Sequence, residues 1–261
     1  MSAKHIQSRD NPQYKSLLKL SNSARERRIH HQALLDGVHL IEAYGASGGR
    51  VESLIASESG LQRAEIAHLY DTTPADSKVV LADRLFQEIA AVVTPSGILA
   101  LIATPVHEGL PKLDMNCMFL ESIQDAGNVG SMLRTAAAAG IRHVFLSKGC
   151  AFAWSAKVLR AGMGAHFGLS LYEHVPLIEA AQRFEGRVIV TDLQASRSLY
   201  DADLSGPLAW VFGNEGAGVS AELAACAHLR VRIPMAAQTE SLNVAAAAAV
   251  CLFEQARRNS E

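Results

Sequence analysis

From Met118 onward the chain alternates short, uninterrupted apolar runs with segments of helical period, and this rhythm limits the possible folds most strongly. Met118–Ile123, Val144–Leu146, Leu169–Tyr172, Val188–Thr191, Leu208–Phe212 and Leu229–Ile233 read as strands. Between and after them, Val129–Ala139, a segment around Ser155–Ala161, Leu177–Phe184, Ala221–Ala225 and Ser241–Gln255 read as helices. A strand that is apolar on both faces must be covered on both faces. The β-α-β order therefore predicts a parallel sheet between layers of helices. Folds of this kind bind ligands outside the carboxyl ends of their strands, so the loops there carry the functional question.

The first half reads as a smaller α/β unit. Helices are expected over Pro12–Leu20, after Ser21/Ser23, over Val38–Tyr44, Leu61–Leu69 and Asp83–Ala90. Val51–Ala56, Lys78–Leu81 and Ile98–Ala103 read as strands, and Ala33–Leu35 is a short apolar run. Periodicity breaks at Thr104–Pro111, where two Pro and one Gly in eight residues mark a linker. The division expected is residues 1–105, a linker over 106–115, and a second domain over 116–261. There is no internal repeat.

At 261 residues and 49% hydrophobic, the chain has enough length and apolar content for two cores, which excludes intrinsic disorder. Cys117, Cys150, Cys226 and Cys251 are widely spaced and form no CxxC pair, so they read as buried thiols in a reducing compartment. No metal site is expected. Met1–Lys15 lacks the apolar core of a secretory signal, and the uncharged stretch Ile89–His107 is broken by Pro95-Ser96-Gly97. A cytoplasmic protein without a membrane segment is the expectation.

The net charge of −2 hides an asymmetry. Residues 1–30 hold seven Lys/Arg against Asp10 and Glu26, whereas residues 31–105 hold four basic and nine acidic residues. The basic amino terminus is either a phosphate-contacting patch or a solvated helix face.

Two short motifs fail on context. Gly45-Ala46-Ser47-Gly48-Gly49 has nucleophile-elbow spacing, but it lies after a helix and before a strand, the reverse of what an elbow needs. Gly216–Ala221 matches a dinucleotide turn, yet that turn belongs after the first strand of its sheet and here only one strand follows. A nicotinamide-binding oxidoreductase is thus a weak rival.

Three loops at successive strand ends are more informative together. Asp125–Ala136 opens a helix at the first, where Asn128 is a candidate cap and Gly140 a candidate stop. Arg134 stands there among Ala, Leu and Met, either as a buried ion-pair member or as a functional cation. Gly213-Asn214-Glu215-Gly216-Ala217-Gly218 allows close backbone approach to a ligand. Ile233-Pro234-Met235 and Glu240-Ser241-Leu242-Asn243-Val244-Ala245 lead into the last helix, where Ser241 and Asn243 are also candidate caps.

In order and spacing, these three segments resemble the signatures of the SpoU (TrmH) family of RNA ribose 2′-O-methyltransferases, in the SPOUT superfamily. Arg160-x-Gly162-x-Gly164-Ala165 is similar to a further family segment. Asn11-Pro12, Arg25–Arg28, Leu35–Leu40 and Pro95–Ala100 resemble the family's amino-terminal domain, with Asp36 where Glu is usual.

The resemblance implies an L30e-like RNA-binding domain followed by a trefoil-knotted α/β methyltransferase domain that works as a homodimer. It implies transfer of a methyl group from S-adenosylmethionine to an RNA ribose 2′-hydroxyl, with ribosomal RNA favoured over transfer RNA. Arg134 would grip an RNA phosphate beside the hydroxyl, and that phosphate would help accept the proton, because an arginine is itself locked in its charged form. Asn128 and Glu215 would orient Arg134 or the dimer partner, and Ser241 and Asn243 would hold the target nucleotide. The backbone at Gly213, Ile233, Met235 and Leu242 would bind the adenosine part of the cofactor. Arg25, Arg27 and Arg28 would contact RNA phosphates. A non-catalytic RNA-binding protein on the same scaffold is the alternative.

Overall fold

A computed structural model describes residues 4–90, 94–107, 109–236 and 241–259. Glu240 of the third loop and Glu108 of the linker lie outside the described residues. The chain divides into two compact units, one formed by residues 1–106 with 154–167 and the other by 107–153 with 168–261.

The first unit is built on a five-stranded mixed sheet of order β1-β4-β3-β5-β2. Its strands are β1 (Lys4–Ile6), β2 (Gln32–Asp36), β3 (Val51–Ser57), β4 (Ala75–Leu81) and β5 (Ile98–Ala103). Strand β1 was not legible in the polar opening of the sequence. It is three residues long, buries only Ile6, and is held by parallel pairing of Lys4–Ile6 with Val79–Leu81. Helices α1 (Pro12–Asn22), α2 (Ala24–His30), α3 (Val38–Ala46), α4 (Ala64–Thr72) and α5 (Asp83–Ile89) complete the amino-terminal run. Asn11 caps α1 through Gln13 N and Tyr14 N, and Ser23 caps α2 through Glu26 N. One face of α1 buries Tyr14, Leu17 and Leu20 in a core with Ile55, Val79, Leu85, Phe86 and Leu99.

The second unit carries a six-stranded, wholly parallel sheet of order β11-β9-β10-β6-β7-β8. The strands are β6 (Cys117–Leu120), β7 (His143–Leu146), β8 (Ser170–Tyr172), β9 (Arg187–Thr191), β10 (Leu208–Phe212) and β11 (Leu229–Val231). Helices α6 (Ala126–Ala138), α8 (Leu177–Gln182), α9 (Ala221–Ala225) and α10 (Val244–Asn259) belong with them. The central strands β6 and β10 are buried along their whole length, as their unbroken apolar character requires.

Between β7 and β8 the chain departs from the contiguous division expected from sequence. Helix α7 (Ala156–Gly162) packs on β2 of the first unit, where Trp154 and Ala156 share a small recess with Leu34, Ile89 and Leu99. Trp154, Val158 and Leu159 are buried. The local helical pattern is satisfied by either packing, so nothing in it marked the choice.

Helix α10 is fastened to the sheet by one polar contact inside the core. The Trp210 indole N–H donates to Gln255 Oε1 at 2.7 Å, with Trp210 0% and Gln255 2% exposed. Replacing Gln255 with leucine leaves a buried donor unpaired. The variant is expected to lose about 1–3 kcal/mol of unfolding free energy in a urea titration. Adding Trp210→Phe should recover part of that loss, and no recovery would mean that the contact carries no net stability.

Burial pushes the Cys117 and Cys251 thiols well above their ordinary range, so both sit in the core as inert apolar groups. Among the described residues no helix is long and apolar enough to cross a membrane.

Candidate active site

The carboxyl ends of β9 and β10 and the start of α10 enclose a recess of about 310 Å³. Each element presents backbone there. β10 runs straight into Gly213, where a Cβ would lie 2.2 Å from the backbone of Gly218 and 2.3 Å from Val219 N. The loop therefore folds back on itself through this one glycine. Gly218 N donates to Asn214 O at 2.9 Å, and Gly218 takes φ +71°. The Asn214 side chain completes the loop: Oδ1 accepts from Gly216 N and Ala217 N, both at 3.0 Å, and Nδ2 donates to Ser122 O at 2.9 Å. At the far end of the loop, Ser220 N and Oγ donate to the Glu121 carboxylate at 2.7 and 2.6 Å, anchoring it to the end of β6.

All four residues expected to bind the cofactor, Gly213, Ile233, Met235 and Leu242, line this recess, together with Glu215, Ser241 and Asn243. Its apolar wall also includes Leu193, Val219, Val244 and Ala247. Sequence reasoning missed the floor given by Thr191, Asp192 and Leu193. The available signal was that these residues follow a strand. Seeing its use required knowing that β9 lies beside β10.

Beside the recess runs a hydrogen-bonded chain that joins all three loops. Asn243 Nδ2 donates to Asn128 Oδ1 at 3.0 Å, and Asn128 Nδ2 donates to Glu215 Oε1 at 2.9 Å. The Glu215 carboxylate also accepts from Gln124 N at 3.3 Å and Asp125 N at 3.2 Å. Partial burial alone would raise the Glu215 pKa. The Asn128 amide and the backbone N–H groups outweigh it and hold the carboxyl below its ordinary value. Glu215 is thus a fixed carboxylate that orders the loops around it.

Asn128 is not the helix cap considered from sequence. Asp125 caps α6 by accepting from Asn128 N at 2.8 Å, which frees the Asn128 amide for the chain above. Gly140, at φ +81°, does follow the helix end. Asn243 does cap the last helix as anticipated, its Oδ1 accepting from Ala245 N and Ala246 N at the start of α10. Ser241 is exposed on the rim of the recess.

Arg134 lies exposed on α6, with no hydrogen bond or ion pair among the described residues. The buried ion-pair reading is therefore excluded, and the contact with Asn128 or Glu215 expected from sequence is not made in this chain. Arg25 is likewise exposed on α2. Arg27 turns inward instead, with Nη1 donating to Leu20 O at 2.5 Å and Ser21 O at 2.8 Å, which satisfies carbonyls at the end of α1. Burial, helped by neighbouring Arg28, lowers its pKa. This placement competes with the phosphate contact expected of it. Arg27→Ala is expected to cost about 1–2 kcal/mol in a urea titration, given the half-buried setting of these charge-assisted bonds. An unchanged midpoint would show that the bracing is dispensable.

A parallel α/β sheet with a nucleoside-sized recess at its strand ends, lined by a glycine-tight loop, defines a domain that holds a small ligand at the sheet edge. Residues 115–253 match the model of the SpoU rRNA methylase family, and residues 11–100 match the MRM3-like substrate-binding domain. The chain belongs to the SpoU rRNA methylase family. It is 32% identical to the 23S rRNA (guanosine(2553)-2′-O)-methyltransferase RlmP of Bacillus subtilis, over 96% of this chain and 98% of that one. An uncharacterized tRNA/rRNA methyltransferase of Synechocystis is also 32% identical, over 97% of this chain and 93% of its own. Among solved structures, an RNA 2′-O ribose methyltransferase superposes with a TM-score of 0.82 at 27% identity, covering 98% of this chain and all of that one (100%). The AdoMet-bound rRNA methyltransferase of Sinorhizobium meliloti gives a TM-score of 0.82 at 25% identity, with 98% of each chain covered.

Proposed function

We propose that this protein transfers a methyl group from S-adenosylmethionine to a ribose 2′-hydroxyl of ribosomal RNA. The observation that carries this reading is the convergence of three separate loops on one recess, with Asn243, Asn128 and Glu215 joined in a single hydrogen-bonded chain beside it. The recess suits the cofactor chemically. Leu193, Val219, Ile233 and Leu242 offer apolar surface for a flat purine, and Asp192, Ser241 and Asn243 offer polar groups for a ribose. When bound, the sulfonium supplies an activated methyl and leaves as a neutral thioether.

The chain's own residues then have to position and exclude. The loop closed at Gly213 and the Asn214 side chain fix the backbone that would face the adenosine. Glu215, held ionised, keeps the three loops in register. Arg134 is the cation that would hold an RNA phosphate next to the reacting hydroxyl and stabilise the charge left as its proton departs. Its exposure, and the lack of a hydrogen bond or ion pair to it among the described residues, support that use. Ser241, on the rim, would contact the target nucleotide.

The trefoil knot and the homodimer belong with this reading. Phe253, a large apolar side chain 51% exposed on α10, supports a second copy covering that helix. Arg25 and Arg28, on the basic first thirty residues, would contact RNA backbone, and the setting would be the cytoplasm.

The test is methyl transfer from labelled S-adenosylmethionine to unmodified 23S rRNA and tRNA transcripts, with digestion and nucleoside mass spectrometry. A 2′-O-methylated nucleoside in the rRNA is the expected product. Label found only on a base would overturn the ribose assignment, and protein that binds RNA but neither binds S-adenosylmethionine nor transfers its methyl group would favour the non-catalytic alternative.

A further inference from the structure

The first unit has a polar recess of its own, about 400 Å³, between the turn after β3, the first turn of α5 and the loop before β5. Its floor is backbone fixed from several sides. The Gly60 N–H donates to the buried Ser57 Oγ at 2.8 Å, and Ser57 N donates to Gly97 O at 3.0 Å. A Cβ at Gly60 would stand 2.4 Å from Gly97 O, and Gly97 itself takes φ +91°. Phe86, 1% exposed, closes the inner side.

The rim carries groups of opposite character. Asp83 accepts from Ser59 N at 2.9 Å and Ser59 Oγ at 2.7 Å, hydrogen bonds that hold its carboxyl below the usual range. Across from it, Arg63 Nη1 donates to Ser96 O at 2.9 Å and is thereby aimed along the loop. The exposed Gln87 amide has no hydrogen bond among the described residues.

We propose that this recess receives one nucleobase of the RNA substrate, turned out of its stack, with Asp83 and Gln87 reading its hydrogen-bonding edge. The inference rests on the RNA methyltransferase reading above and adds a recognition site on the other unit. The volume is that of a nucleoside and not of a duplex groove. A phosphate would face the Asp83 carboxylate, whereas a base edge bearing both donors and acceptors complements a carboxylate beside an amide. Single-stranded RNA is recognised through such splayed bases, read on their Watson–Crick edges. An acceptor-only carboxylate selects a base with N–H groups on that edge. Every residue of the recess lies within the stretch that matches the MRM3-like substrate-binding domain, residues 11–100.

The experiment is filter binding of the full chain to an unmodified 23S rRNA transcript across a salt series, using wild type, Gln87→Ala and Asp83→Asn. Gln87 takes part in none of the hydrogen bonds that shape the recess, so its variant keeps the fold, checked by an unchanged melting temperature and S-adenosylmethionine affinity. Each variant is expected to weaken binding about tenfold, the effect of one lost base contact. The slope of log K against log salt should not change, since no phosphate contact is removed. Unchanged affinity in both variants, a shallower slope, or failure of the wild type to bind would each overturn the proposal. Methyl transfer by the same wild-type preparation separates the two claims. Variant-sensitive binding without transfer keeps the recess and removes the enzymatic reading, and transfer with variant-insensitive binding does the reverse.

Discussion

Arg134→Ala is expected to abolish methyl transfer, lowering the single-turnover rate about 100-fold or more, while leaving the fold and the cofactor site intact. The split follows from where the residue sits. Arg134 is exposed and makes no hydrogen bond or ion pair among the described residues, so its removal costs the folded chain little, within about 0.5 kcal/mol for a surface site of this kind. Loss of a positioned cation at the reacting centre is far more serious, on the order of 10²–10³ in rate where one such group is removed. Calorimetric titration with S-adenosylmethionine should give wild-type affinity, because Arg134 is not among the residues lining the recess. Arg134→Lys is the sharper variant. It keeps the charge but loses the planar fork, and about a tenfold loss is expected. Full activity with lysine would discard two-pronged phosphate binding, and full activity with alanine would discard the role altogether.

Gly213→Ala should have the opposite profile, damaging cofactor binding first. The added methyl would stand 2.2 Å from the Gly218 backbone, and no flexible side chain is available there to yield. The loop must open, which also pulls on the Asn214 hydrogen bonds and on Glu215 next to it. Overpacking of this kind costs about 1–3 kcal/mol in stability. S-adenosylmethionine affinity is expected to fall more than tenfold, since the displaced backbone forms one wall of its recess. Calorimetric titration and thermal melting together check this, and wild-type affinity in a fully folded variant would show that the loop has another closed form.

The parallel sheet and the three loops of the site were legible because each depends on local signals that survive into the fold. Unbroken apolar runs gave β6, β9 and β10, and Gly and Asn clusters followed them directly. What escaped was set by partners distant in sequence. Thr191–Leu193 look like any strand end until β9 is placed beside β10. The Lys4–Ile6 strand is made by its pairing with β4 and by nothing in its own composition. Arg27 reads from charge as a surface cation, and only the carbonyls at the end of α1 turn it inward. Asn128 offered two readings, cap or contact, and the cap at Asp125 decided between them. The resemblance to SpoU enzymes supplied the grouping of the loops, and the geometry supplied the hydrogen-bonded chain that joins them.

The excursion of residues 154–167 into the first unit bears on how the protein is made. During synthesis the first 106 residues emerge with β2 lacking the helix that packs on it. At about 5–20 residues per second, several seconds pass before Phe167 leaves the ribosome, and the second unit is by then only partly translated. The amino-terminal sheet must wait with an apolar gap at Leu34, Ile89 and Leu99 until Trp154 arrives. The first unit is therefore finished only after part of the second has been made, and a gene cut at the linker would encode a first unit without residues 154–167.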